Sequence, residues 1–353
     1  MSCFSLLVIL SLCLSYYEVI EGNQQKQARV DDSFYCVDIY KQPAFDHPRL
    51  KNHKIEMNPN FLVNPKMNNK APPNFEFAKL GTSNIACPKG MVPIQKTRGS
   101  KIRPLSASHP GQNFATVDAV NVNVRGAYGI INLANPSDVG KGQYSAAQIW
   151  VQNGDNVIQA GWGVSPDLYG DTITRFTTQW TADGYKSTGC FNTQCSGFVQ
   201  VDPTLHLGLP FSNVSVVGGE QFTIGVTLTQ DGNGNWWVVV NGNIKIGYWP
   251  KEIFTSLGNG ANSARFGGLT FANSDGISPQ MGNGLPPTYD LRFTCSIIEM
   301  QLVDDKLVMH PVDPSIMKTN LDTSKDCYDV EYLKEQKGMG QVMIFGGKGG
   351  KNC

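Results

Sequence analysis

The stretch from Gln221 to Trp249 constrains the fold more than any other. QFTIGVTLTQ (221–230) alternates apolar and polar residues, breaks at DGNGN (231–235), and resumes at WWVVV (236–240). NGN (241–243) then leads into IKIGYWP (244–250). A period of two buries one face of a strand, and Asp-Gly and Asn-Gly supply the positive φ that tight hairpins need. Strands joined by so few residues pair antiparallel, because a parallel pair needs a long crossover. The same alternation appears at Val120, Val122 and Val124, in QIWVQ (148–152) and in NVIQAGWGV (156–164). The pattern predicts an all-β fold, an antiparallel β-sandwich. One short helix is predicted at KEIFTSL (251–257), where Pro250 precedes Ile253, Phe254 and Leu257 on one face.

Residues 1–22 carry an apolar core from Phe4 to Leu14, too short for a membrane span and fitting a secretory signal peptide. No later segment is long and apolar enough to cross a bilayer. The formal net charge is zero and no basic stripe is present, which argues against nucleic acid as a partner. Setting aside Cys3 and Cys13 in the signal leaves seven of the nine cysteines. That number is odd, so at least one thiol is free or pairs between chains. No cysteine spacing suits zinc and histidine is scarce, so neither a metal nor a cofactor is expected. Asn213-Val214-Ser215 is a glycosylation acceptor sequence in a secreted chain.

Residues 23–120 differ from the rest. They are polar, punctuated by proline, and too poor in periodic apolar residues to build a core, so they read as an arm and linker (Gly99 to Asn113) packed on the main domain, 121–353. Asp46, His47 and His53 read as solvated polar surface, and His206 as a strand residue.

The run from Gln159 to Gln200 is QAGWGVSPDLYGDTITRFTTQWTADGYKSTGCFNTQCSGFVQ. Its word order AGW, LYGD, WTADGY, TGC and GFVQ resembles the neprosin family, plant secreted proteins whose founding members are proline-directed glutamic peptidases. Further phrases agree: DIYKQPAFDHP (38–48), GYWPKEIF (247–254), PQMGNG (279–284) and CYDV (327–330). The resemblance implies two curved antiparallel sheets packed face to face. It also implies an activation peptide that covers the groove, stapled by Cys36–Cys87. At the C-terminus it implies a Cys327–Cys353 closure. Cys190 then pairs with Cys195, and Cys295 is left over.

The resemblance also locates the chemistry. One family glutamate precedes the [AV]-G-W element, where this chain has Gln159. The other ends a W-G-G-E strand, where this chain reads Phe266-Gly267-Gly268-Leu269. A two-carboxylate peptidase divides its work between a base and a proton donor. Glutamine can orient water but cannot accept its proton, and leucine offers neither donor nor acceptor. Losing a general base costs ~10²–10⁴ in rate. Asp171 and Asp183 sit beside glycines as turn-capping residues rather than substitute acids. Trp162, Tyr169, Trp180 and Gln280 are candidate groove residues, able to stack on proline rings or sugars.

The expected protein is secreted, apoplastic or vacuolar, with a glutamic-peptidase fold and impaired catalysis. It would bind proline-rich peptides or cell-wall polymers in its groove. The alternatives are an active acid prolyl endopeptidase using another acid, and a lectin-like binder of cell-wall polysaccharide.

Overall fold

The computed structural model describes residues 34–61, 70–81, 86–96, 111–351 and 353. The expected signal peptide and most of the expected linker lie outside these residues. The N-terminal region contributes β1 (Phe34–Asp38), β2 (Glu76–Phe77) and β3 (Met91–Gln95). The main domain follows with β4 (Gln112–Val124), β5 (Gly126–Asn132), β6 (Tyr144–Asn153), β7 (Asn156–Val164), β8 (Arg175–Thr181) and β9 (Cys190–Phe191). Next come β10 (Val199–Gln200), β11 (Phe222–Gln230), β12 (Trp236–Val240), β13 (Ile244–Trp249), β14 (Ala261–Phe271) and β15 (Ile277–Ser278). The chain ends with β16 (Cys295–Val303), β17 (Met309–Pro311), β18 (Met317–Leu321), β19 (Asp329–Gln336), β20 (Gly340–Gly346) and β21 (Gly350–Lys351).

Two sheets form the sandwich. The seven-stranded sheet has the order β18-β4-β14-β6-β7-β8-β9. The ten-stranded sheet runs β10-β13-β12-β11-β5-β16-β20-β19, with β17 added on β16 and β2 on β11. The β2–β11 pair is parallel, and the other pairs are antiparallel. The expected hairpins appear as read: β11–β12 closes through residues 231–235, and β12–β13 through 241–243. Between the sheets, Ile149, Ile158, Trp162, Phe176 and Phe266 meet Ile131, Val226, Val238, Ile297 and Phe345, all buried. The expected domain boundary at residue 120 falls inside β4, so the sandwich begins at Gln112.

Residues 251–257 do not form the expected helix. Two 3-10 turns, Lys251–Ile253 and Leu257–Asn259, flank an irregular segment. The reason is a competing acceptor. Asn156 Oδ1 takes the backbone N–H groups of Thr255, Ser256 and Leu257 at 2.8, 2.9 and 3.2 Å. Its Nδ2 donates to the carbonyl of Ala182 at 2.9 Å. Amides that would have closed helical turns are satisfied by one buried side chain. Asn156→Ala should therefore destabilise the protein by about 2–4 kcal/mol, because three backbone amides, that of the buried Leu257 among them, lose their partner at once. Urea denaturation reads this directly, and a loss under about 1 kcal/mol would show that the segment finds other partners.

Among the described residues three disulfides are present: Cys36–Cys87, Cys190–Cys195 and Cys327–Cys353. They match the pairing implied by the resemblance. Cys295 is free and buried, with its Sγ 3.6 Å from the carbonyl oxygen of Asn132, and burial pushes its thiol well above the usual range.

The N-terminal region packs on the outer face of the ten-stranded sheet. Ala44, with Phe45 and Ile55 beside it, covers Val199, Val201, Trp237, Val239 and Tyr248. Gln42 and Gln200 bond reciprocally: Gln42 Nε2 donates to the Gln200 carbonyl (3.1 Å) and Gln42 Oε1 accepts from its N–H (2.7 Å). Of the three residues read as solvated, only Asp46 is exposed. His47 tilts against Trp180, and His53 bonds the hydroxyl of Tyr248 at 2.8 Å, because an arm whose own buried cluster is only Ile39, Val92 and Ile94 uses its polar residues as contacts too.

Candidate active site

Strand alternation decides which residues face outward from the seven-stranded sheet. In β7, Ile158, Ala160, Trp162 and Val164 point into the core, so Gln159 points out. In β14, Ala264 and Phe266 point in and Leu269 points out. The two positions that the resemblance matched to a catalytic pair thus share one face of one sheet. They are separated by β6: Leu269 pairs with Ala146 and Ala146 with Gly163, whereas Gln159 pairs with Trp150. That places them two strands and four residues apart, about 16 Å between Cα atoms in a flat sheet.

The register lines up a row across this face: Asp118, Arg265, Trp150, Gln159, Gln179 and Phe191. Gln159 is 6 % exposed, and its Nε2 donates to the hydroxyl of Tyr185 at 2.8 Å. The hydroxyl of Tyr144 accepts from Gln148 Nε2 at 3.3 Å and from Gln179 Nε2 at 3.1 Å. The hydroxyl of Tyr169 meets Thr177 Oγ1 at 2.6 Å and accepts from Asn192 Nδ2 at 3.1 Å. Burial pushes the phenols of Tyr144 and Tyr169 above the ordinary tyrosine range, so both keep their protons. The carbonyl oxygens of Gln148 and Gln159 are buried without a hydrogen-bond partner.

Leu269 is 2 % exposed and sits among Phe114, Tyr144, Trp150, Leu168, Tyr169 and Phe191. The site is therefore an apolar basin beside a field of amides and phenols. The carboxylates around it are engaged elsewhere. Asp118 pairs with Arg265 at 2.9 Å, whose guanidinium stacks on Phe114. Asp171 pairs with Arg175 at 2.7 Å and accepts from the N–H of Ile173. Asp183 accepts from the backbone and hydroxyls of Ser187 and Thr188. Burial raises its carboxyl, but these hydrogen bonds outweigh that and hold it well below the usual range. It is a turn residue: Thr181 Oγ1, bonded to Asp183, also accepts from the N–H of Tyr185. Tyr185 is held at a positive φ of 63° and anchors Gln159.

The four candidate groove residues divide. Trp162 and Trp180 lie in the core between the sheets, with Trp162 Nε1 bonded to the carbonyl of Asn132 at 2.9 Å, so neither forms a groove wall. Their strand neighbours put them on the inward side of the pleat. Tyr169 belongs to the basin. Gln280 lies elsewhere, its Oε1 accepting from the N–H of Ser137 at 3.3 Å. His206 is in a loop and not a strand: the chain turns at Leu207 and Gly208, and its Nδ1 contacts the Leu207 carbonyl at 2.6 Å. Burial lowers its pKa to about 4. Asn213 is exposed in a loop.

Sequence reading missed Gln148, Gln179 and Tyr144, and named Tyr185 only as one aromatic among several able to line a groove, not as the partner of Gln159. The first two were visible in principle, since QIWVQ and RFTTQWT set both glutamines opposite their core-facing neighbours. Tyr185 comes from a loop whose course no periodicity encodes. The described part of the N-terminal region does not lie on this face, which corrects the expectation of a groove cover for those residues. It reaches the edge of the face through Gln95, whose Oε1 accepts from Asn192 Nδ2 at 3.1 Å.

Two family models match the chain. Residues 141–348 match the neprosin family model, and residues 27–126 match that of the neprosin activation peptide. Among solved structures, scytalido-glutamic peptidase bound to a peptide-based transition-state analogue aligns at 12 % identity and a TM-score of 0.38, over 67 % of this chain and 98 % of that one. SCP-B, an Eqolisin-family peptidase in complex with the tripeptide Ala-Ile-His, aligns at 10 % identity with the same TM-score and coverage. The fold assignment rests on the two sheets themselves. With the neprosin model spanning more than half of its length, the chain belongs to the neprosin family.

Proposed function

We propose that this is a secreted neprosin-domain protein that holds an extended, proline-containing peptide on the outer face of the seven-stranded sheet without cleaving it. One observation carries the reading: position 269 is a leucine buried among aromatic rings, and position 159 is an amide bonded to a phenol. Neither can take or give a proton in the working range of an acid peptidase. The binding half of the site has what a peptide needs. Phe114, Trp150 and Phe191, each at most 5 % exposed, are the apolar side chains a peptide would meet once this face opens, and the buried, unpartnered carbonyls of Gln148 and Gln159 would accept from donors such as its backbone N–H groups. Three disulfides and the exposed acceptor Asn213 fit an oxidising, secretory route to the apoplast or vacuole.

The test is hydrolysis of a fluorogenic proline-containing peptide from pH 3 to pH 6. The wild type should show no turnover, at least ~10²-fold below an acid-bearing relative. Turnover by the wild type would overturn the reading and direct the search to Asp118 and Asp183. Hydrolysis by Gln159→Glu/Leu269→Glu would place the loss in these two side chains.

A further inference from the structure

A second site lies on the other sheet. A cleft of about 700 Å³ opens where the N-terminal region meets the main domain, with Pro73 and Phe75 on one wall and Gln221, Tyr289 and Arg292 on the other. Its volume is within the range of about 300–1,000 Å³ that small-molecule sites occupy. Tyr289 is the most exposed large apolar side chain of this wall, at 78 %. Its ring is nonetheless fixed, because its hydroxyl donates to Glu331 Oε2 at 3.1 Å. Arg292 is fixed too. Its Nε and Nη2 donate to the two oxygens of Asp290 at 3.0 and 2.7 Å, which leaves Nη1 directed away from the pair. A bidentate fork of this kind holds its geometry better than a single contact. Glu220, which also lines the cleft, makes no side-chain hydrogen bond among the described residues.

The chemistry of the cleft selects its ligand. One flat ring, bonded at its hydroxyl to Glu331, stands in water in a cleft lined by the carboxylates of Glu220 and Asp290 and the guanidinium of Arg292. Acceptors exceed donors and negative charge exceeds positive. A ligand rich in donors and free of negative charge matches this set. The apolar C–H face of a pyranose stacks on a tyrosine ring while its rim of hydroxyls meets carboxylate oxygens. Uronic acid polymers meet like charge here. Proline rings offer a face for stacking but no donor, which leaves the carboxylates without a match. The geometry points to this seam cleft as a binding site for a short neutral oligosaccharide of pyranose units, with Tyr289 as the stacking platform. Because Pro73 and Phe75 build one wall, the site exists only while the N-terminal region stays in place.

Isothermal titration of the chain from residue 23 onward with cellohexaose, xylohexaose and mannohexaose tests this. At least one of the three should bind with a Kd below about 1 mM. Tyr289→Ala should weaken that binding at least about tenfold, since it removes the ring on which the sugar stacks. Tyr40→Ala, an exposed tyrosine at 75 % on another part of the surface, should leave it unchanged. Thermal melting of Tyr289→Ala should match the wild type, because the side chain is solvent-exposed. Failure of all three hexasaccharides to bind would overturn the proposal, as would binding that Tyr289→Ala leaves intact. Tighter binding of a proline-rich or polylysine peptide at Tyr289 would overturn it as well.

Discussion

Leu269→Glu will destabilise the folded protein by about 3–5 kcal/mol near neutral pH and by distinctly less below pH 4. The larger figure follows from burial. The position is 2 % exposed and enclosed by aromatic and aliphatic side chains, so a carboxylate there loses water without gaining a partner. Burial raises its folded pKa above the unfolded value of about 4.3. Below that value both states are protonated and only the loss of leucine packing remains. As pH rises from there to the folded pKa, the unfolded state ionises first and stability falls by about 1.4 kcal/mol per unit. Urea denaturation of variant and wild type at pH 4 and pH 7 measures the difference. Equal destabilisation at both values would mean that the basin around position 269 is wet. Gln159→Glu should cost far less, because the hydroxyl of Tyr185 stands within hydrogen-bond distance and can donate to a carboxylate. The two family positions are thus energetically unequal. A leucine at 269 makes a packing contact at the position where a carboxylate would be the more costly of the two.

The sandwich was legible because period-two alternation and Asn-Gly or Asp-Gly turns are local, and each strand declares its buried face by itself. The same rule assigns Gln159 and Leu269 to one outer face. It could not reveal that β6 separates them, since register across non-adjacent strands is set by the whole sheet. Trp162 and Trp180 were weighed as groove residues on their chemistry, but Ala160 and Phe176 on the same strands' core-facing pleat put both tryptophans inside. Residues 251–257 carry helical spacing, yet Asn156, about a hundred positions earlier, claims their amides. Contacts of that separation leave no mark on a local pattern. Tyr185 is the clearest case, because its role depends on a loop held by Asp183 at a positive φ.

The N-terminal region should prove inseparable from the folded domain, and a chain beginning at Gly111 should lose more than about 5 kcal/mol of stability or fail to fold as a soluble monomer. The outer face of the ten-stranded sheet is apolar in two patches. One holds Val199, Val201, Trp237, Val239 and Tyr248, the other Tyr128, Ile130, Ile298, Val342 and Ile344. Ala44, Phe45 and Ile55 cover the first, and Phe75 and Phe77 pack on the second. Burying a large apolar side chain contributes about 1.5–3 kcal/mol, so uncovering even the stacked pair Trp237 and Tyr248 removes a large part of a typical stability of 5–15 kcal/mol. Polar groups add to the cost. The hydroxyl of Tyr248 bonds His53 and accepts the N–H of Glu56, and Glu56 Oε1 accepts from Asn233 and Asn235. Asp231 accepts from Trp237 Nε1 at 2.8 Å and from the N–H of Asn60. β2 adds backbone pairing with β11 at Phe222 and Thr223. Release would leave these groups facing water on a surface built for contact, and the seam cleft at Tyr289 would lose a wall. Limited proteolysis between residues 97 and 110, followed by size-exclusion chromatography without denaturant, measures the outcome. The two fragments should elute together, and Tyr248→Ala should let them separate. Spontaneous separation of the wild-type fragments, with the larger one still folded, would show that the ten-stranded sheet tolerates exposure and that the region is a removable cover.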